Sequence, residues 1–140
     1  MPDTTKSHLD LSDDTFEHLF ATASLDPSLF NHEAHLRLAW IHVNKYGVEH
    51  AVENICSQIK VFDATFGDGT KYNATVTAAA VRAVNHFLQK TKTTSFADFI
   101  QENPRLIHNL RDLLSSHYSI DVFTDAMAKR VVLEPDLEAF

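Results

Sequence analysis

Glycine, proline and cysteine are all scarce in this sequence, which has 3, 4 and 1 of them in 140 residues. So few glycines and prolines argue against an all-β fold, which needs many tight turns, and against long flexible linkers. A single cysteine, Cys56, excludes an intramolecular disulfide and is typical of a small hydrophobic core residue. The composition therefore favours helices, and 44% hydrophobic residues suffice for one core without metals or disulfides.

Long apolar runs and an excess of positive charge are missing as well. The first residues, MPDTTKSHLDLSDD, lack the apolar centre of a signal peptide. No later stretch approaches the roughly 20 apolar residues that span a bilayer. The formal net charge of -7 repels phosphate backbones and anionic membrane surfaces, and the 12 Lys and Arg residues are scattered along the chain. We expect a cytoplasmic protein that binds neither nucleic acid nor membrane.

Apolar residues recur at helical spacing through most of the chain. The spacing predicts helices at about 12–23, 31–46 and 48–66, within 71–90, after Ser95, from Pro104, and at about 124–132. Ser12 and Ser95 are suited to cap helices, and Gly47 can end one in the left-handed conformation. We predict an all-α fold, a single irregular bundle of about six or seven helices over residues 12–140. A flexible N-terminal tail at residues 1–11 should precede it.

Two histidines three residues apart open the second predicted helix, in the stretch FNHEAHLRLAW. His35 lies on the apolar stripe of this helix and His32 one turn before it, so both imidazoles can reach one ligand. His42 is two turns from His35, roughly 10 Å away, and cannot join the same site. In an enzyme, His32 or His35 would be a general base or a ligand of a divalent transition metal. His117, on the apolar stripe of its own predicted helix, is a candidate third ligand.

The alternative is that these histidines are hydrogen-bonded core residues. The others are expected at the surface or in the tail: His8, His18, His50, His86 and His108.

The segment KYNATVT, residues 71–77, is a second polar cluster. Asn73 can cap the helix that follows, and Thr77 lies on the apolar stripe of that helix. The positive end of a helix dipole favours a carboxylate or phosphate, and Lys71 would add charge. Tyr72 would be a hydrogen-bond donor to a ligand. The alternative is that the segment only caps its helix.

Three separated stretches, FNHEAHLRLAW, KYNATVT and LEPDL at 133–137, together resemble an uncharacterised family of small bacterial proteins. That family reads F-x-H-x-x-H-L-x-x-A-W, then K-Y-H-x-T-x-T, then a C-terminal P-D-L. The matching residues of the first two stretches are Phe30, His32, His35, Leu36, Ala39, Trp40, Lys71, Tyr72, Thr75 and Thr77. Asn73 stands where the family tends to have histidine, and an amide is a poorer transition-metal ligand than imidazole. The resemblance brings no activity with it.

The leading hypothesis is a small-molecule-binding protein, enzymatic or not, with its site between the second and fourth helices. The candidate catalytic residues are His32, His35 and Tyr72, the candidate substrate-binding residues are Lys71, Asn73 and Thr77, and the candidate metal ligands are His32 and His35. The competing hypothesis is a non-enzymatic protein-interaction module in which the histidines and Trp40 complete a core. A cavity lined by the six candidate residues would favour the first hypothesis, and burial without a cavity the second. The sequence leaves the substrate, the reaction and the oligomeric state open.

Overall fold

The computed structural model describes residues 5–140, and this part of the chain is all-α, with eight α-helices, two short 3-10 helices and no strand. It is 65% helical, well above the usual third, so the predicted fold class is confirmed. The α-helices are α1 Asp13–Ala21, α2 His32–Tyr46, α3 Val48–Phe66, α4 Ala74–Lys90, α5 Phe96–Glu102, α6 Arg105–His108, α7 Leu110–Ser115 and α8 Ala126–Arg130. No helix among them has the length and apolar character needed to cross a membrane.

Local capping signals set the ends of the longer helices. Ser12, Asn31, Asn73 and Ser95 each accept a hydrogen bond from a backbone N–H of the helix that they precede. Gly47, at φ 83°, separates α2 from α3 in a conformation that favours glycine. The predicted boundaries at these positions are therefore confirmed.

The centre of the fold is formed by α2, α3 and α4, which pack against one another. The face of α4 at their junction is rich in alanine, including the fully buried Ala78 and Ala79. Such short side chains let neighbouring helices approach closely. α1 lies against α2 and α3, and α8 lies against α4. This packing brings the start of α2, the end of α3 and the start of α4 together.

The helix predicted from Pro104 is broken at Asn109 into α6 and α7. Asn109 has φ -134° and ψ 28°, outside the helical range, and asparagine is a weak helix former. α7 ends at Ser115, so His117 lies after it instead of on an apolar helix face. Its ring stacks on Phe140 at 3.9 Å between centroids, and its Nδ1 lies 2.6 Å from the Glu138 carbonyl oxygen.

The N-terminal segment is attached to the bundle through Arg37, a buried arginine of α2. Its guanidinium donates hydrogen bonds to the carbonyl oxygens of His8 (2.6 Å) and Leu11 (2.8 Å) and to the carboxylate of Asp13 (2.8 Å). His8, expected at the surface or in the tail, is fully buried, and its Nε2 lies 2.8 Å from Glu33 Oε1. The expectation that His8 is exposed is therefore wrong, because Arg37 holds this segment against the bundle. Residues 1–4 of the predicted flexible tail lie outside the described residues, and the flexibility of the remainder stays a prediction.

The C-terminal segment after α8 is extended and attached to the bundle by hydrogen bonds. Thr75 Oγ1 donates to the Val131 carbonyl oxygen (2.7 Å) and accepts from the Leu133 N–H (2.9 Å). Asp136 accepts hydrogen bonds from the backbone and the hydroxyl of Ser119. Two of the three motifs of the sequence, KYNATVT and LEPDL, therefore contribute to holding the C-terminal segment in place.

Candidate functional site

A cavity of about 430 Å³ lies where the start of α2, the end of α3 and the start of α4 meet. We call it the His35 cavity. Five of the six candidate residues line it, namely His35, Lys71, Tyr72, Asn73 and Thr77. Its volume falls within the usual range of small-molecule sites. The fold thus brings residues from two distant sequence segments to one cavity.

His32, the sixth candidate residue, does not line the His35 cavity. It lines an adjoining cavity of about 320 Å³, which it shares with His35, His108 and Arg111. Its Nε2 lies at hydrogen-bond distance, 2.9 Å, from the Leu106 carbonyl oxygen. One nitrogen of His32 is therefore engaged in attaching α2 to α6, and His35 lies between the two cavities.

His35 Nε2 is shielded from solvent and has no hydrogen-bond partner within residues 5–140. Burial, and secondly the charge of His32, lower the pKa of His35 to about 4. The imidazole is therefore neutral at physiological pH and presents one N–H donor and one nitrogen acceptor. A shielded polar nitrogen without a partner costs free energy that a ligand could recover.

Three phenylalanine rings form the apolar wall of the His35 cavity. Phe62 lies between Phe30 and Phe66, with centroid distances of 5.2 and 4.9 Å. The Phe30 ring also lies 5.7 Å from the His35 imidazole. Phe66 is 44% exposed, so the wall reaches solvent at this ring. The cavity therefore combines an aromatic wall with the polar groups of residues 71–77.

Asp63, near the end of α3, is a buried residue of the cavity that the sequence analysis did not select. Its Oδ2 accepts hydrogen bonds from the backbone N–H groups of Lys71 (2.9 Å) and Tyr72 (2.8 Å). It thereby sets the path of the loop that carries both side chains into the wall. An acidic residue four positions after the buried Ile59, on the same helix face, is the signal that could have identified it.

Both polar atoms of the Asn73 side-chain amide have hydrogen-bond partners in the protein. Its Oδ1 accepts from the Val76 N–H at 2.9 Å and caps α4. Its Nδ2 donates to the Val122 carbonyl oxygen at 2.8 Å. The capping alternative for this segment is thus realised at Asn73, which lines the cavity while fixing the start of α4.

Tyr72 interacts with Cys56, the only cysteine of the chain. Burial, and then the neighbouring Cys56, raise the pKa of the Tyr72 hydroxyl, and burial raises the pKa of the Cys56 thiol. Both groups therefore stay protonated at physiological pH. Tyr72 is suited to donate a hydrogen bond and poorly suited to act as a base.

Metal binding finds little support in this arrangement. Across residues 5–140, no group of three or more His, Cys, Asp or Glu side chains is placed to hold a metal ion. His117, the candidate third ligand, interacts with the C-terminal residues instead. Two histidines are half of a usual zinc site. The metal role of His32 and His35 therefore stays a prediction from their spacing.

The stability of the fold should fall as the pH is lowered from about 6.5 towards 4. Burial lowers the pKa of His42, whose two ring nitrogens are shielded and unpartnered within the described residues, in the same direction as for His35. The unfolded chain then binds more protons than the folded chain in this window, so stability is lost as the pH falls. Each histidine contributes a slope of up to about 1.4 kcal/mol per pH unit.

Urea unfolding at pH 7.5 and pH 5 tests this expectation. The His42→Leu variant should lose less unfolding free energy between the two pH values than the wild type. The matched variant His50→Leu, at an exposed position on α3, should keep the wild-type pH dependence. Identical losses in His42→Leu and the wild type would show that His42 does not resist protonation.

The resemblance to a family of small bacterial proteins stays a prediction from three motifs. No family model, no curated protein and no solved structure matches this chain.

Proposed function

We propose that this protein binds a small organic molecule in the His35 cavity. The observation that carries the proposal is the shielded and unpartnered Nε2 of His35 in the wall of a cavity with an aromatic side. The core histidine His42 also has unpartnered ring nitrogens, but it does not line the His35 cavity, so the cavity is what makes Nε2 of His35 available to a ligand. A ligand hydroxyl or carboxylate would supply the missing partner.

Access to His35 Nε2 requires movement at the rim of the cavity, because the nitrogen is shielded from solvent. Lys71 and Phe66 are exposed residues of this rim, and exposed side chains change rotamer on the ps–ns timescale. The proposed ligand therefore enters beside these two side chains, which change rotamer to admit it. The buried residues Asp63 and Thr77 keep their positions in the wall.

Binding is better supported than acid–base catalysis. A general base works best when its pKa lies near the operating pH, whereas the pKa of His35 is lowered to about 4 by burial. The raised pKa of Tyr72 likewise favours donation of a hydrogen bond over removal of a proton. The proposed roles of His35 and Tyr72 are therefore to orient a bound molecule. We propose no reaction.

The competing hypothesis, a protein-interaction module with structural histidines, has specific support at His32 and at Trp40. His32 contacts the Leu106 carbonyl oxygen, and Trp40 is buried, with its ring 6.0 Å from that of Phe96. Neither contact accounts for the cavity or for the unpartnered nitrogen of His35. The small-molecule proposal explains both features.

Titration of the protein with 2-naphthaleneethanol, followed by amide NMR shifts, tests this proposal. The shifts should concentrate at the start of α2, the end of α3 and residues 71–77. The His35→Leu variant should bind about three- to tenfold more weakly, because one hydrogen bond to the probe is lost. The matched His50→Leu variant, whose position does not line the cavity, should bind as the wild type does. Shifts scattered over the surface, or equal affinity in His35→Leu, would contradict the proposal.

A further inference from the structure

The apolar wall of the His35 cavity suits a flat ring system. Phe30, Phe62 and Phe66 follow one another along one side, and aromatic pairs at such distances gain from offset or tilted contacts. Ile59 and Val76 extend the apolar surface. A planar aromatic body would cover this wall without having to satisfy polar groups there.

The basic and the acidic side chain that line the cavity differ in whether they already have partners in the protein. Lys71 is the single lysine or arginine among the described residues that line it, and no ion pair of the described residues uses its ammonium group. Asp63 is the single acidic residue of the lining, and its Oδ2 already accepts two backbone N–H groups. The positive charge is therefore exposed at the rim, while the negative charge is buried and one of its two oxygens already accepts two hydrogen bonds.

The remaining polar groups also favour an anion. The neutral His35 imidazole can place its N–H on Nε2 and donate it to a carboxylate oxygen. The seventeen-residue helix α4 begins beside the cavity, so the positive end of its dipole lies near the cavity. Lys71, His35 and the start of α4 thus act in the same direction.

We propose that the ligand of the His35 cavity is an aromatic carboxylate, with its ring system against Phe62 and its carboxylate between Lys71 and His35. This inference rests on the proposed function and adds the chemical class of the ligand. Its carboxylate provides the partner that His35 Nε2 lacks within the described residues, and its charge pairs with the exposed Lys71.

The alternative ligand is an aromatic amine, whose cation would be bound by Asp63 and the phenylalanine faces. It is weaker on two observations. The ammonium group would lie in the same cavity as Lys71, and Oδ2 of Asp63 already accepts the backbone N–H groups of residues 71 and 72, which leaves Oδ1 alone for a cation. The charge of the ligand therefore distinguishes the two arrangements.

Calorimetric titration with three matched probes tests the inference: 2-naphthaleneacetate, 2-naphthaleneethanol and 2-naphthaleneethylamine. The acetate should bind about tenfold more tightly than the alcohol, and the amine more weakly than either. The acetate affinity should also fall as salt is added, while the alcohol affinity changes little.

The Lys71→Gln variant tests the contribution of the Lys71 charge separately from that of the cavity shape. This variant should lower the acetate affinity about two- to fivefold and change the alcohol affinity by a smaller factor. The control Lys60→Gln, at an exposed position of α3 outside the cavity lining, should change neither. Equal binding of all three probes, or tightest binding of the amine, would overturn the anion inference while the proposed function stands. Failure of every probe to bind would overturn both.

Discussion

Replacing Arg37 by methionine should lower the free energy of unfolding by about 2 to 4 kcal/mol. The methionine side chain retains most of the packing volume but donates no hydrogen bond. The change would leave the carbonyl oxygens of His8 and Leu11 without the donors that now lie 2.6 and 2.8 Å away. It would also remove the ion pair with Asp13 at 2.8 Å. The His8 carbonyl would keep the Leu11 N–H at 3.1 Å, but the Leu11 carbonyl would lose the Arg37 donor, so the loss should exceed that of an ordinary surface change.

Urea unfolding followed by far-ultraviolet circular dichroism measures the effect of Arg37→Met. The matched control is Asp13→Asn, which removes the charge of a partner whose side chain is 47% exposed. It should cost about 1 kcal/mol or less, because water screens an exposed carboxylate. Hydrogen exchange in Arg37→Met should rise first at residues 8–11, which the guanidinium holds in place. Near-wild-type stability in this variant would show that the contacts of Arg37 contribute little.

Replacing Trp40 by alanine should also cost about 3 to 5 kcal/mol. Trp40 is 8% exposed on α2 and packs against Phe96 of α5, so its removal would leave a large gap between the two helices. The indole Nε1 has no hydrogen-bond partner within the described residues, so the loss comes from packing alone.

The control that separates packing from hydrogen bonding is Trp40→Phe. This variant keeps an aromatic ring and should cost only about 1 kcal/mol, since no hydrogen bond is lost. Chemical unfolding of both variants measures the difference. A Trp40→Ala protein as stable as the wild type would show that α2 does not present this face to the core.

The motif FNHEAHLRLAW serves the fold and the candidate site together. Arg37 and Trp40 attach α2 to the N-terminal segment and to α5, and His32 contacts α6. Phe30 and His35 line the cavity. A change in this motif can therefore alter stability, binding or both, and the matched controls above are needed to separate them.

Local signals in the sequence determined the helices. The caps at Ser12, Asn73 and Ser95, the glycine after α2 and the apolar spacing all act within a few residues, so they could be identified directly from the sequence. They also placed His35 on an inward face and Asn73 at a helix start. The spacing likewise selected five residues that line one cavity.

Only the tertiary structure decided which of these groups remain available to a ligand. His32 and Asn73 find backbone carbonyl partners 74 and 49 positions away in the chain, and such distant pairings leave no periodic pattern in the sequence. The burial of His8 under Arg37 and the use of Asp63 to hold the loop before α4 arise in the same way. Whether a segment forms a helix depends mainly on its neighbours along the chain, whereas the hydrogen-bond partners of a side chain depend on its neighbours in space. For this reason the unpartnered nitrogen of His35 could be identified only in the folded protein.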